Sequence, residues 1–158
     1  MSTPPNLARI LITGSRSWPD SQRLADTLLE VWHDALQNGY DGILVTHGTA
    51  EGADELADLW ALGNNVPRDP HEADWEGPCA PSCPPGHRRP RRGTTYCPMA
   101  GHRRNQTMVD LKPDLCVACI SPCTRPTCRQ KRPHDSHGTA DAIRRVTAAG
   151  IPILRITA

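Results

Sequence analysis

ARILITGSR, residues 8–16, is a short apolar run stopped by a glycine and followed by a hydroxyl and a guanidinium. A nearly unbroken run of branched side chains suits a strand buried on both faces of a parallel sheet. Downstream, Leu24, Leu28, Val31, Trp32, Ala35 and Leu36 recur at helical spacing over residues 21–37, with Pro19 and Asp20 before and Gly39 after. These are the stop and start signals of an amphipathic helix. The pattern then repeats, with a buried strand at 42–47 (GILVTH) and a helix at 50–62 carrying Ala53, Leu56, Ala57 and Trp60 on one face. A third strand around 66–71 is weaker, because Pro67 and Pro70 each remove a ladder donor and favour an edge position or a loop.

Helical spacing resumes at 102–111, a strand (LCVACI) follows at 115–120, a helix at 138–149, and a last strand (IPILRI) at 151–156. Strands alternating with helices predict an α/β fold, a Rossmann-like doubly wound parallel sheet, in one domain of 158 residues. Right-handed crossovers place the C-terminal ends of all strands on one rim, where such sheets bind ligands. Two irregular Cys/His-rich insertions, at about 77–100 and 121–136, interrupt the pattern at that rim.

Composition narrows the class further. Apolar residues make up 37% and aromatics 4%, with no Phe, which is a lean core for this length. The net charge of +1 does not mark the whole chain as a polyanion binder, but Arg88, Arg89, Arg91, Arg92, Arg103 and Arg104 crowd into one region and predict a locally positive face. No apolar run approaches the roughly 20 residues that span a bilayer, and no leader pattern opens the sequence, so a soluble cytoplasmic protein without membrane contact is expected.

In a reducing compartment, Cys mixed with His reads as a metal site rather than a disulfide framework. Cys79, Cys83, His87 and Cys97 form one candidate set, and Cys123, Cys128, His134 and His137 a second. Each offers four N or S donors, which suits structural Zn²⁺ and leaves no open position for catalysis. Segments so poor in apolar residues need a metal to take a fixed shape. One or two zinc ions per chain are therefore expected: His102 can replace His87, and one ion can be shared between the insertions. Cys116 and Cys119 lie inside an apolar strand and read as buried structural thiols. His47 and His71, at strand ends, stand open between site and loop residues.

Three small-residue loops converge on the rim: Gly14-Ser15-Arg16, the run THGTAEGAD at 46–54, and SHGTADAI at 136–143. With ADWE at 73–76 and Arg104-Asn105 followed by Met108-Val109, these resemble the YspA/cpYpsA-related branch of the SLOG superfamily, kin of the Lonely-guy phosphoribohydrolases and of DprA. The resemblance covers nearly the whole chain outside the insertions. It implies a site for a nucleotide or nucleotide derivative, bound for sensing or processing.

By that resemblance Gly14, Ser15 and Arg16 match the first phosphate-side loop, and Gly48 and Asp54 the second. Arg104 and Asn105 fall where the Lonely-guy enzymes carry an Arg-Lys pair, and Gly138 and Thr139 match their Gly-Thr. Ser15, Arg16 and Thr139 are then expected on phosphates and Arg104 or Asn105 on the ribose-phosphate. The closing Glu of that motif falls on Ala142, which cannot act as acid or base, and this counts against N-glycosidic cleavage of the Lonely-guy type. Asp141 and Glu51 are the nearest candidate acids or bases. An alternative reading is a single-stranded nucleic-acid-binding module using the Arg-rich insertions, and a third is a regulatory partner-binding protein; self-association fits the resemblance.

Overall fold

A computed structural model describes residues 3–124, 126, 128–130 and 136–158. β1 (Leu7–Gly14), β2 (Gly42–His47), β3 (Arg68–Pro70), β6 (Leu115–Ile120) and β7 (Ile153–Thr157) form a five-stranded sheet in the order β3-β2-β1-β6-β7, and every pair is parallel. β1 is the central strand, and its run Ile10, Leu11 and Ile12 is buried. β3 is a three-residue strand at the sheet's edge, preceded by Pro67 and closed by Pro70, a place where missing amides are tolerated.

Alternating side chains of β1 face the two helical layers. Ile10 and Ile12 pack with Leu24, Leu28 and Val31 of α1 (Ser21–Gln37) and Ala57 and Ala61 of α2 (Ala53–Gly63). Leu11 packs the other way, with Met108 and Val109 of α3 (Ala100–Asp110) and Val146 of α4 (His137–Ala148). The sheet is thus covered on both faces, the doubly wound arrangement expected. Asp20 starts α1 by accepting from the Arg23 amide at 2.9 Å.

The chain runs outward from β1 to β3, then returns to β6 on the other side of β1. Loops leaving β1 and β6 therefore part in opposite directions and open a crevice at their carboxyl ends. Gly14 sits in that crevice: a Cβ there would lie 2.5 Å from Ala53 Cβ and 2.7 Å from Cys119 Cβ, so only glycine lets α2 and β6 close around it.

The first insertion is more regular than its sequence suggests. β4 (Arg89–Arg91) and β5 (Thr94–Tyr96) form an antiparallel hairpin. Arg92 (φ 46°) and Gly93 (φ 82°) make its two-residue turn, and positive φ at both positions is the type I′ signature. Strands this short, one of them centred on Pro90, carry too little alternation to be recognised from pattern alone.

Candidate functional site

The insertion is organised around four side chains. The donor atoms of Cys79, Cys83, His87 and Cys97 all lie within 4.8 Å of one another. Cys79 Sγ is 3.0 Å and Cys97 Sγ 3.4 Å from His87 Nε2, and Cys83 Sγ is 3.8 Å from Cys97 Sγ. A disulfide needs sulfurs about 2.05 Å apart, and no disulfide joins any of the seven cysteines. Two thiolates sharing a tetrahedral ion at Zn–S distances near 2.3 Å stand about 3.8 Å apart. The first expected donor set thus comes together and can hold a metal ion, with His87 rather than His102 in it.

Cations brace the cluster from outside. Arg103 Nη1 lies 3.5 Å from Cys83 Sγ and 3.4 Å from Cys97 Sγ, and Arg88 Nη1 lies 3.5 Å from Cys79 Sγ. Burial alone would raise the Cys97 thiol, but Arg103, the Met99 amide and the neighbouring thiols bring it down to about 6. Cys79 moves up instead, through burial and then Cys97. Low-pKa sulfur with fixed guanidinium donors is the chemistry of a metal thiolate and its supporting shell.

Cys123, Cys128 and His137 gather in the second insertion, with His137 Nε2 3.7 Å from Cys123 Sγ and 3.4 Å from Cys128 Sγ. This set too can hold a metal ion; His134, the fourth expected donor, lies outside the described residues. The two clusters are separate sets among the described residues. Cys116 and Cys119 are fully buried, and burial pushes both thiols up to about 12, so they behave as core side chains.

The first cluster is joined to a cleft. The Cys97 amide donates to the Trp75 carbonyl at 2.8 Å, and Trp75 meets Tyr96 edge to face at 6.2 Å. Trp75, Glu72 and Ala73 form one side of a cleft of about 200 Å³; Arg16, Gly48, Thr49, Ala50 and Arg104 form the rest. Arg104 Nη1 donates to the Gly48 carbonyl, and its Nε to Asn105 Oδ1 at 3.0 Å. Asn105 Nδ2 continues to Asp141 Oδ2 at 3.0 Å, which also accepts from Arg145 Nε at 2.9 Å.

Loop 48–50 turns its amides inward. Asp54 Oδ2 accepts from the Gly48 amide at 3.0 Å and the Ala50 amide at 3.3 Å, while His47 Nδ1 accepts from Thr49 at 3.0 Å. His47 Nε2 then carries the proton that it shares with Asp58 Oδ1 at 2.7 Å. Burial pushes the Asp54 carboxyl up, and its second oxygen has no partner among the described residues. These loop amides are therefore committed within the protein, and the cationic groups that line the rim are the guanidinium groups of Arg16 and Arg104.

The expected residues thus divide. Arg16, Gly48 and Arg104 line the cleft, and Asp54 and Asn105 stand behind it as supports. Ser15 is buried, and its hydroxyl is 2.8 Å from that of Ser17; the Thr139 hydroxyl is likewise 2.7 Å from that of Ser136. Gly138, Thr139 and Asp141 do not line this cleft, and neither does Glu51, which is exposed. Burial would raise Asp141, but Arg145, Asn105 and His102 outweigh it and hold the carboxyl low. Glu72 and Trp75 were not singled out as site residues from sequence; ADWE at 73–76 held the signal for Trp75.

A parallel sheet doubly wound by helices, with a cationic cleft at its carboxyl rim, defines a Rossmann-like protein. The YspA, cpYpsA-related SLOG family model matches residues 8–77. The Gene 61 protein of Mycobacterium phage D29 is 34% identical over 153 residues, covering 94% of this chain and 95% of that protein. The chain belongs to the YspA, cpYpsA-related SLOG family. Its fold is also similar to DNA processing protein A (DprA) from Streptococcus pneumoniae, with a TM-score of 0.55 and 15% identity; the match covers 94% of this chain and spans half of the DprA chain. Among the described residues no helix is long and apolar enough to cross a membrane.

Proposed function

We propose that the chain binds a nucleotide or nucleotide derivative in the Arg16–Arg104 cleft, for sensing or processing, and that structural zinc in the insertions fixes the cleft's outer wall. The observation that carries this reading is electrostatic. Arg16 and Arg104 line one small cleft and act on each other: burial pulls the Arg104 guanidinium below its ordinary value, Asp54 and Asp141 behind it oppose that, and Arg16 adds to it. Two like charges converging in a concave site favour an anion between them. Arg104 Nη2 has no hydrogen-bond partner among the described residues, so one donor of a fork already fixed at Nε and Nη1 is available to a phosphate.

The remaining wall suits the rest of such a ligand. Trp75 offers an apolar ring for a base, and Glu72 offers an acceptor for ribose hydroxyls. Ser15 and Thr139, first expected on phosphates, act in this reading on their own loops, and Gly14 and Gly48 provide the close approach. The cluster of Cys79, Cys83, His87 and Cys97 takes zinc because three thiolates and one imidazole match its tetrahedral preference. The second site uses Cys123, Cys128 and His137, with His134 as its fourth ligand.

Mass analysis of small molecules released from the purified chain, combined with melting curves over a panel of mononucleotides and nucleotide sugars, tests the reading. A co-purifying nucleotide, or a rise in melting temperature with one member of the panel, is expected. No released molecule and no shift with any member would refute it.

A further inference from the structure

From Gly77 to Val109 the chain contains no acidic residue and six arginines. Three of the six are committed. Arg88 donates to the carbonyls of Gly77, Glu76 and Thr95 and to Cys79; Arg103 faces the thiols; Arg104 holds Gly48. The other three, Arg89, Arg91 and Arg92, are exposed on the β4–β5 hairpin. Among the described residues none of them pairs with a carboxylate.

Their placement is regular. Arg89 and Arg91 are two apart on a strand and so share one face, about 7 Å from each other. Tyr96 lies opposite Arg89 on that face, and the Arg91 guanidinium stands 4.8 Å from the centre of its ring. The ring pins Arg91 and is itself braced by Trp75. Arg92 occupies the tip with φ 46°, a position that favours Asn or Gly, so a long cation is held there against local preference. Crowding three guanidinium groups without a counter-charge is repulsive and is relieved by an extended anion.

We propose that the β4–β5 hairpin is a contact for the phosphodiester backbone of a nucleic acid, with Arg89, Arg91 and Arg92 as its phosphate ligands. A row of cations at this spacing fits successive phosphates better than one compact anion. The hairpin also lacks the exposed apolar side chains with which a basic element enters a membrane, since Tyr96 turns toward Trp75. The site is distinct from the Arg16–Arg104 cleft, whose probe is a mononucleotide, so either reading can fail without the other.

Fluorescence anisotropy on the full zinc-loaded chain tests it, using labelled oligothymidylate, oligouridylate and a short duplex at ~50 and ~200 mM salt, with anionic vesicles as a fourth probe. Binding to at least one nucleic acid is expected, weakening as salt rises. Replacing all three residues (Arg89→Gln, Arg91→Gln, Arg92→Gln) should weaken it at least about tenfold and flatten the log–log salt slope by about 2 to 3, the value for three lost phosphate contacts. If melting shows that the triple variant does not fold, Arg92→Asn carries the test. Asn suits that turn position, so the slope should drop by about 0.7 to 0.9 with the melting temperature retained. No binding to any of the three nucleic acids at ~50 mM salt, binding to vesicles instead, or an unchanged slope in the folded variants overturns the proposal.

Discussion

Gly48 has no side chain where Arg104 has its charge: a Cβ built on Gly48 would lie 2.6 Å from Arg104 Cζ. The carbonyl of the same residue accepts from Arg104 Nη1, so the loop after β2 and the third helix meet through one backbone group and one guanidinium. Gly48→Ala should therefore cost little stability, because the group it meets is the far end of a flexible side chain, and should displace Arg104 from the cleft. Chemical denaturation reads the first effect and mononucleotide affinity the second.

Gly14→Ala separates packing from ligand contact. Its new methyl would overlap Ala53 and Cys119, both core groups. A stability loss of about 1–3 kcal/mol is expected, read as a lower urea midpoint with an unchanged denaturant slope.

Metal content should follow the donors. Cys97→Ser should lower bound zinc by one ion per chain and expose residues 77–97 to limited proteolysis, because the cluster also anchors Trp75 through the Cys97 amide. His134→Ala should remove the second ion, and His102→Ala neither. Elemental analysis of each purified variant provides the count.

Acid should destabilise the fold in a defined direction. Burial raises Asp58, Asp69 and Asp141, but their partners outweigh it: His47 and Arg68, His71 and Arg9, and Arg145 with Asn105. Each carboxyl is thus lower in the folded chain than in the unfolded one. The stability they provide is present above about pH 3.9, the ordinary Asp value, and is lost as pH falls through the folded values. Asp54 is raised by burial and has the opposite sign, costing stability as pH rises through its folded value. Urea midpoints should fall on acidification, and Asp141→Asn should reduce the slope of that fall.

The sheet was readable because parallel strands buried on both faces leave nearly unbroken apolar runs, as in residues 8–13 and 115–120. Pro67 and Pro70 narrowed the third strand to an edge or a loop, since a missing amide has a purely local consequence, and the fold makes it an edge. The first donor cluster was readable from spacing except for the choice between His87, His102 and a donor from the second insertion, which only the fold decides. The orientation of groups within the rim was not, because it depends on contacts between residues distant in sequence. Ser15 and Asp54 look like ligand groups in sequence, yet one turns to Ser17 and the other to the amides of Gly48 and Ala50. Glu72 lines the cleft only because β3 runs parallel beside β2.

Calorimetric titration of ribonucleoside 5′-monophosphates into the zinc-loaded chain and into Arg104→Met tests the central claim most directly. At least one nucleotide should bind, and the variant should lose about tenfold or more in affinity, since a charge-assisted bond contributes about 1.5–3 kcal/mol. Binding by none of them, or equal binding by both chains, would contradict the assignment of the cleft.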